Sequence, residues 1–282
     1  KEDIFTYANG AGGILVYKNI STPGNFQFTP VGYYDAGLAT HYLVSDYSPV
    51  GVPSTLNIPV NQVALPGLSD MDGDGDMDII VFNAQGYNIE YHQNQSKELG
   101  YNCDSLIFKV MDDCLGDINE STCAVNMNVC PFPKVLDQMN HVLSKSSQRH
   151  AGSCIMCFDA DGDSLPDVLL GDVVCDSVIY LHNGGFVNNA HIDSYTAAYP
   201  PGKPIGMSIF PCTYYLDLNN DAKRDLVAAP ALQGSENVNN TWLYTNSNTD
   251  NNPVLIYAKN NFLQESMIDL GEGAYPTLFD HD

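Results

Sequence analysis

The chain has 282 residues, of which 34 are acidic and 11 are basic, so its formal net charge is -23 at pH 7. This excess of carboxylates argues against a nucleic-acid partner and against a polybasic membrane contact, because both need clustered Lys and Arg. With 44% hydrophobic residues and no apolar run near the ~18 residues that span a bilayer, the sequence predicts a folded chain without direct membrane insertion.

Acidic segments of nine residues recur along the chain with one spacing of oxygen-bearing side chains. They follow D-x-[DN]-x-D-x-x-x-D and occupy residues 70–78, 159–167 and 217–225. The chain opens with Asp3-Ile4-Phe5, which matches the exit from such a segment, and closes with Asp280-His281-Asp282, which matches the start of another. The sequence therefore predicts one repeated domain over residues 1–282, with both ends inside a repeat of a longer chain.

Two strands are predicted after each acidic segment. The first is a short apolar run, and the second ends in Asn and covers residues 14–19, 89–94, 178–183 and 242–246. The interval from the Asp that precedes the first strand to this Asn is 16 residues in three copies, which start at Asp3, Asp78 and Asp167. It is 21 residues in the fourth copy, which starts at Asp225. Loop starts that lie 58 to 89 residues apart fit four-stranded antiparallel blades, which must stack because one blade cannot bury both of its faces.

The longest interval between loops contains an insertion at about 95–150, with four of the eight cysteines. Apolar residues at helical spacing between Val135 and Leu143 predict a short helix within it. An even number of cysteines in an acidic chain favours disulfides and an oxidising compartment, hence an extracellular location. Two alternatives stay open, because Cys154 and Cys157 have the spacing of half a zinc site and of a redox pair.

Carboxylates at alternate positions of a tight loop are typical of Ca²⁺ sites, since Ca²⁺ takes six to eight oxygen ligands. Positions 1, 3, 5 and 9 offer side-chain oxygens, and position 7 is expected to offer its main-chain carbonyl. A solvated acidic turn without metal is the alternative, although four or five carboxylates in nine residues repel one another. The sequence predicts about three calcium sites, whose ligands are Asp70, Asp72, Asp74, Asp76 and Asp78; Asp159, Asp161, Asp163, Leu165 and Asp167; and Asp217, Asn219, Asp221, Lys223 and Asp225.

An EF-hand is excluded by position 12, where the bidentate Glu of that motif is replaced by Val81, Leu170 and Ala228. These apolar residues belong to an outgoing strand instead of a helix. At position 6, Gly75 suits the left-handed turn that the loop needs, whereas Ser164 and Ala222 suit it less well. We therefore expect the first loop to be the strongest calcium site.

The loop pattern, the apolar strand and a terminal Tyr-x-Asn, as in Tyr17-Lys18-Asn19, together resemble the FG-GAP or VCBS-type repeat. The resemblance implies an all-β fold, a β-propeller like that of integrin α chains, commonly with seven blades, of which this chain would be a fragment. It also implies calcium loops at the blade edges and secretion or surface display. The run from Asp217 onward, with 268–274, resembles large secreted proteins of bacteria that use the type IX route.

No catalytic constellation stands out, because the chain has no G-x-S-x-G elbow, H-E-x-x-H pair or phosphate-binding Gly loop. His92 and His182 are interpreted as surface residues at strand ends. We expect a non-catalytic adhesion, binding or scaffold module of a large secreted or cell-surface protein, with a protein or glycan ligand. The alternatives are a propeller-based polysaccharide lyase or hydrolase, and a type IX secretion substrate captured with its translocon.

Aromatic residues are candidates for stacking on sugars if the ligand is a glycan. Packing within the core and the strands is the favoured alternative for each of them. The candidates are Tyr33, Tyr34, Tyr42, Tyr195 and Tyr199.

Overall fold

β-Strands make up nearly all the regular structure of the protein. The computed structural model describes residues 3–7, 12–31, 33–35, 38–40, 42–52, 54–60, 63–84, 86, 88–101, 105–130, 152–187, 189–232, 235 and 238–267, with the backbone alone at 33–35 and 38–40. These ranges contain 21 strands and one 3₁₀ turn at Ser48–Val50. Within them, no helix has the length and apolar character needed to cross a membrane.

The first blade contains three antiparallel strands in sequential order. They are β1 (Ile4–Tyr7), β2 (Ile14–Asn19) and β3 (Phe28–Pro30). Along the first pair, Ile4 lies opposite Tyr17 and Tyr7 lies opposite Ile14. A separate hairpin follows, formed by β4 (Tyr33–Asp35) and β5 (Leu38–Thr40).

The second blade belongs to a six-stranded sheet. In chain order its strands are β6 (Val44–Asp46), β7 (Thr55–Asn57), β8 (Gly67–Ser69), β9 (Asp78–Phe82), β10 (Ile89–Asn94) and β11 (Phe108–Asp112). In space the order is β7-β6-β11-β10-β9-β8, and only the β6–β11 pair is parallel. Four antiparallel strands, β8 to β11, therefore form the blade, and β6 with β7 extends its outer edge.

Part of the stretch expected to be an insertion belongs to this blade. Because β11 lies within residues 95–150, the segment outside the blade begins after Asp112 and not at about residue 95. This segment contains the hairpin of β12 (Ile118–Ser121) and β13 (Ala124–Met127). The helix predicted between Val135 and Leu143 lies outside the described residues.

The third and fourth blades are four-stranded, antiparallel and sequentially ordered. The third consists of β14 (Ser153–Phe158), β15 (Asp167–Asp172), β16 (Val178–Asn183) and β17 (Ile192–Thr196). The fourth consists of β18 (Pro211–Leu216), β19 (Asp225–Pro230), β20 (Trp242–Asn246) and β21 (Leu255–Lys259). The second strand predicted for each repeat is confirmed, with the same bounds, as β2, β10, β16 and β20.

Neighbouring blades pack face to face through alternating side chains. In β9, Ile79 belongs to the core shared with the first blade, and Ile80 belongs to the core shared with the third. In β15, Leu170 packs toward the second blade and Leu169 toward the fourth. All four side chains are fully buried. Burial on both faces explains why these strands read as continuous apolar runs instead of alternating with polar residues.

The innermost strands lie side by side, with β14 between β8 and β18. Four antiparallel sheets that stack face to face and share an inner edge are the architecture of a β-propeller. The all-β, propeller class predicted from the repeats is therefore confirmed.

Two disulfides join parts of the chain near the third blade. Cys114 pairs with Cys130, and Cys123 in the β12–β13 hairpin pairs with Cys175 in the turn after β15. The disulfide interpretation is thus confirmed. Cys154 and Cys157 are thiols in separate buried clusters on opposite faces of β14, so they form neither a half zinc site nor a redox pair.

Candidate metal centre

The three acidic loops share one set of internal hydrogen bonds. At the first position, Asp70 accepts the N–H of Gly73 at 2.8 Å and the N–H of Gly75 at 3.1 Å, through different oxygens. In the other two loops, Asp159 and Asp217 likewise accept the N–H groups of the fourth and sixth loop residues, through different oxygens. In every loop the third side chain accepts the N–H of the fifth residue, and the fifth accepts that of the seventh. One oxygen at position 5 of every loop, and one at position 3 of the first and second loops, is left for another partner, whereas the single side-chain oxygen of Asn219 is already used in the third.

Left-handed backbone at position 6 is common to all three loops. The φ angle is 91° at Gly75, 72° at Ser164 and 63° at Ala222. A side chain in this region is strained, so the second and third loops adopt it at a cost that the shared hydrogen bonds offset. The departures at Ser164 and Ala222 therefore leave the loop backbone unchanged.

The ninth carboxylate of each loop is buried and holds the blade together. Asp78 accepts the N–H of Asn94 at 2.8 Å through Oδ1, and the N–H of Met71 and the hydroxyl of Tyr91 through Oδ2. The bond from the main-chain N–H of the Asn to this carboxylate recurs in the other repeats, between Asn19 and Asp3, Asn183 and Asp167, and Asn246 and Asp225. The repeated interval of 16 residues, or 21 in the fourth copy, is thus the span of one hydrogen bond.

A residue beyond the first loop adds a further carboxylate to it. Asp72, Asp74 and Glu98 each place one oxygen within 4.8 Å of the others, and Asp70, Asp72 and Asp78 form a second such group. Glu98 follows β10 and accepts a hydrogen bond from the Gln93 side chain at 2.7 Å. The same Gln93 amide also donates to Asp72. Sequence reasoning missed Glu98 because it lies outside the repeated nine residues.

His182 has the corresponding place in the second loop. It is one residue before the repeat Asn, as Gln93 is, and its Nε2 lies 2.9 Å from Asp161 Oδ2. Its Nδ1 lies 2.7 Å from Asp193, and this hydrogen bond, with that of Asp161, raises the pKa of His182 to about 8. Asp161, Asp163 and His182 form a group that could hold a metal ion. Its placement at a strand end, with partial exposure, matches the prediction.

The prediction for His92 is wrong. This side chain is fully buried, with Nε2 3.2 Å from Glu90, and the hydroxyl of Tyr47 donates to the same Glu90 oxygen at 2.9 Å. His92 lies two residues before Asn94, whereas His182 lies one residue before Asn183. A shift of one position along a strand moves a side chain to the opposite face.

Three loop carboxylates have one buried oxygen to which no described residue donates a hydrogen bond. These oxygens are Asp74 Oδ2 and Asp76 Oδ1 in the first loop and Asp225 Oδ2 in the third. Burial and the charge of Asp74 raise the pKa of Asp76 to about 6, and burial raises the pKa of Asp78 to about 7. Buried polar atoms normally have a partner, so these oxygens fit a bound cation.

The third loop offers fewer converging charges. Among the described residues it forms no group of three carboxylate, imidazole or thiolate atoms within 4.8 Å, and Asn219 stands at its third position. The side chain of Lys223, at position 7, donates to the carbonyl of Ser247 at 3.2 Å. That bond is consistent with the main-chain role predicted for position 7.

The starts of the three loops line one cavity of about 1080 Å³ along the inner strands β8, β14 and β18. Asp70, Asp159 and Asp217 contribute to its wall, together with Tyr214 and Tyr215. Carboxylates and aromatic rings therefore lie in one cleft beside all three candidate metal sites.

The tyrosines proposed for sugar stacking have different environments. Tyr199 is 8% exposed and stacks on Tyr180 with ring centroids 4.8 Å apart, so it is a packing residue. Tyr195 is 43% exposed, and Tyr42 is half-buried. The side chains of Tyr33 and Tyr34 lie outside the described part of the structure.

Comparisons with known proteins do not show a family for this chain. No protein-family model matches the sequence, and a search of the curated proteins finds no match. Among solved structures, the chain is similar to that of an Agrocybe aegerita lectin described as specifically recognising non-reducing terminal N-acetylglucosamine, with 14% identity and a TM-score of 0.33. The match covers 92% of this chain and 51% of that chain, so it spans about half of the lectin's length. With so low a TM-score, this likeness carries no argument about the fold or the function of this chain.

Proposed function

We propose that this chain is a section of a calcium-stabilised, extracellular β-propeller that acts as a non-catalytic binding, adhesion or scaffold module. The observation that carries the proposal is one loop architecture, repeated three times. In the first and third loops it includes buried carboxylate oxygens that lack a donor among the described residues. A Ca²⁺ ion at each loop would supply the missing positive charge. The two disulfides support an extracellular location. The repeats support an assignment to the FG-GAP or VCBS type, commonly seven-bladed. The resemblance of the run from Asp217 onward, with 268–274, supports type IX export.

The ligands in this proposal are the side chains at positions 1, 3, 5 and 9 of each loop and the main-chain carbonyl at position 7. Glu98 adds a carboxylate to the first site, and His182 orients Asp161 in the second. Bound calcium would neutralise the loop and fix it against the strands that follow. At millimolar calcium, extracellular sites of this kind each stabilise the fold by about 0.4 to 1.4 kcal/mol, or about 1 to 4 kcal/mol for three.

Removal of calcium is expected to lower the melting temperature by several degrees, because the loop carboxylates then repel one another. Thermal unfolding should be compared in millimolar calcium and in excess EDTA, with NaCl of equal ionic strength as the control for screening. A transition that is the same in both solutions would count against the calcium assignment.

Variants test which loop binds calcium most strongly. Asp74→Ala should reduce the calcium-dependent shift at least as much as Asp221→Ala, because Asp74 converges with Glu98 and has an unpartnered oxygen. Glu98→Gln should also reduce this shift and leave the transition in EDTA unchanged or raised. Glu265→Gln, at an exposed carboxylate outside the loops, is the matched control. The opposite order of the two Asp variants would refute the ranking of the sites.

A protein or glycan ligand is proposed to bind in the cleft beside the loops, where Tyr214 is 47% exposed. Aromatic rings next to carboxylates suit the apolar faces and hydroxyls of sugars. A glycan array should show saturable binding that Tyr214→Ala weakens and Tyr195→Ala, at an exposed tyrosine outside the cleft, does not. A reducing-sugar assay on the same protein should show no product, since turnover would support a lyase or hydrolase instead.

A further inference from the structure

Two thiols meet where the third and fourth blades approach each other. Cys154 lies in β14 and Cys212 lies in β18, the innermost strands of these blades. They are 3% and 1% exposed and share a buried cluster with Val173 and Phe210. The neighbouring Cys154 thiol raises the pKa of Cys212.

The backbone fixes this contact. Gly171 lies opposite Cys154 in the β14–β15 pair. A Cβ atom built at Gly171 would lie 3.8 Å from the Cβ of Cys154 and only 1.9 Å from the carbonyl oxygen of Pro211. Because Pro211 immediately precedes Cys212, β18 passes directly beside the Cys154 side chain. The sheet geometry therefore places Cys212 next to Cys154, in one buried cluster.

The rest of the chain indicates an oxidising environment, since four cysteines are already paired as Cys114–Cys130 and Cys123–Cys175. We propose that Cys154 and Cys212 form a third disulfide in the mature protein, which covalently joins the innermost strands of the third and fourth blades. The inference stands apart from the calcium proposal, because neither cysteine belongs to an acidic loop.

The oxidant is another disulfide, small or protein-borne, of the compartment in which the chain folds. The thiolate of one cysteine attacks its S–S bond, forms a mixed disulfide and releases one thiol. The thiolate of the second cysteine then attacks the mixed disulfide, closes the new S–S bond and releases a second thiol. The cysteines lose two protons and two electrons, which the oxidant takes up as two thiols.

This exchange must precede the final packing of the two blades. In the folded chain both thiols are buried, and the neighbouring Cys154 thiol and burial raise the pKa of Cys212, so little thiolate is present. Cys157 provides an internal control, because it is a buried thiol in the same strand that packs in the core between the second and third blades. It is expected to stay reduced.

Peptide mapping of the unaltered protein, alkylated in denaturant without reductant, tests the proposal directly. The expected result is a linked pair of peptides containing Cys154 and Cys212, with Cys157 alkylated. Alkylation of both Cys154 and Cys212 would overturn the proposal, as would linkage of either one to Cys103 or Cys157.

Stability gives a second measurement. Cys154→Ala and Cys212→Ala should each lower the melting temperature by roughly 5 to 15 °C, because the bond closes a long loop in the unfolded chain. The melting temperature of the double variant should be no lower than that of the less stable single variant, since either change removes the same bond. Additive losses would contradict the disulfide. Cys157→Ala is the matched control and should be additive with each single variant. If a single variant does not fold, the peptide map of the unaltered protein decides.

Discussion

Asp167→Ala is expected to destabilise the protein by roughly 3 to 5 kcal/mol, whether or not calcium is present. The carboxylate is 1% exposed and accepts the N–H of Asn183 at 2.8 Å, the N–H of Ala160 at 3.2 Å and the hydroxyl of Tyr180 at 2.8 Å. Alanine leaves all three donors without this acceptor inside the blade. The free energy of unfolding, from urea titrations in calcium and in EDTA, measures the loss.

Asp163→Ala in the same loop is the matched control for this effect. Its carboxylate is exposed, and within the loop it accepts the N–H of Leu165. As a proposed calcium ligand it should matter chiefly when calcium is present. If Asp167→Ala instead leaves the free energy of unfolding in EDTA unchanged, the ninth Asp acts only as a calcium ligand. The proposal that its hydrogen bonds join the strands would then be refuted.

Gly171→Ala is expected to destabilise the protein by about 3 kcal/mol or more, or to prevent folding. The added Cβ would lie 1.9 Å from the carbonyl oxygen and 3.1 Å from the carbonyl carbon of Pro211. This obstacle is the backbone of the neighbouring blade, which cannot rotate away as a flexible side chain can. The contact between β15 and β18 must therefore open. Urea unfolding and the yield of folded protein measure the result.

Gly206→Ala is the control for this substitution, because a Cβ at Gly206 has no atom within 4 Å. Its stability should stay within about 0.5 kcal/mol of the unaltered protein. Equal stability of the two variants would show that the third and fourth blades do not approach as closely as the structure indicates. A folded Gly171→Ala protein should also contain less of the linked Cys154–Cys212 peptide.

The repeat was predictable from the sequence because one hydrogen bond fixes it. The amide of Asn94 must reach Asp78, and the equivalent pairs must do the same, so the intervening strands keep a constant length. One strand without such a marker was missed. β11 follows an irregular segment and has no repeated Asn, so it was assigned to an insertion.

The candidate metal site was predictable only where its residues are close together in the sequence. The loop carboxylates stand at fixed spacing, whereas Glu98 reaches them because the chain after β10 folds back toward Asp72 and Asp74. The contact between Cys154 and Cys212 depends in the same way on how two blades pack, which no spacing along the chain reveals. Pairings between blades are properties of tertiary structure, and a pattern within one repeat does not specify them.

The hydrogen bond from the ninth Asp to the repeat Asn spans 16 residues in the second and third blades and 21 in the fourth, with nearly the same length in each. Additional residues between the first and second strands of a repeat are therefore tolerated, since lengthening a surface turn adds little closure entropy. The turn between β19 and β20 is the natural point for grafting foreign peptides, because the corresponding turn of the third blade contains the buried, disulfide-bonded Cys175. An epitope inserted between β19 and β20 would be displayed at a blade rim without altering the fold.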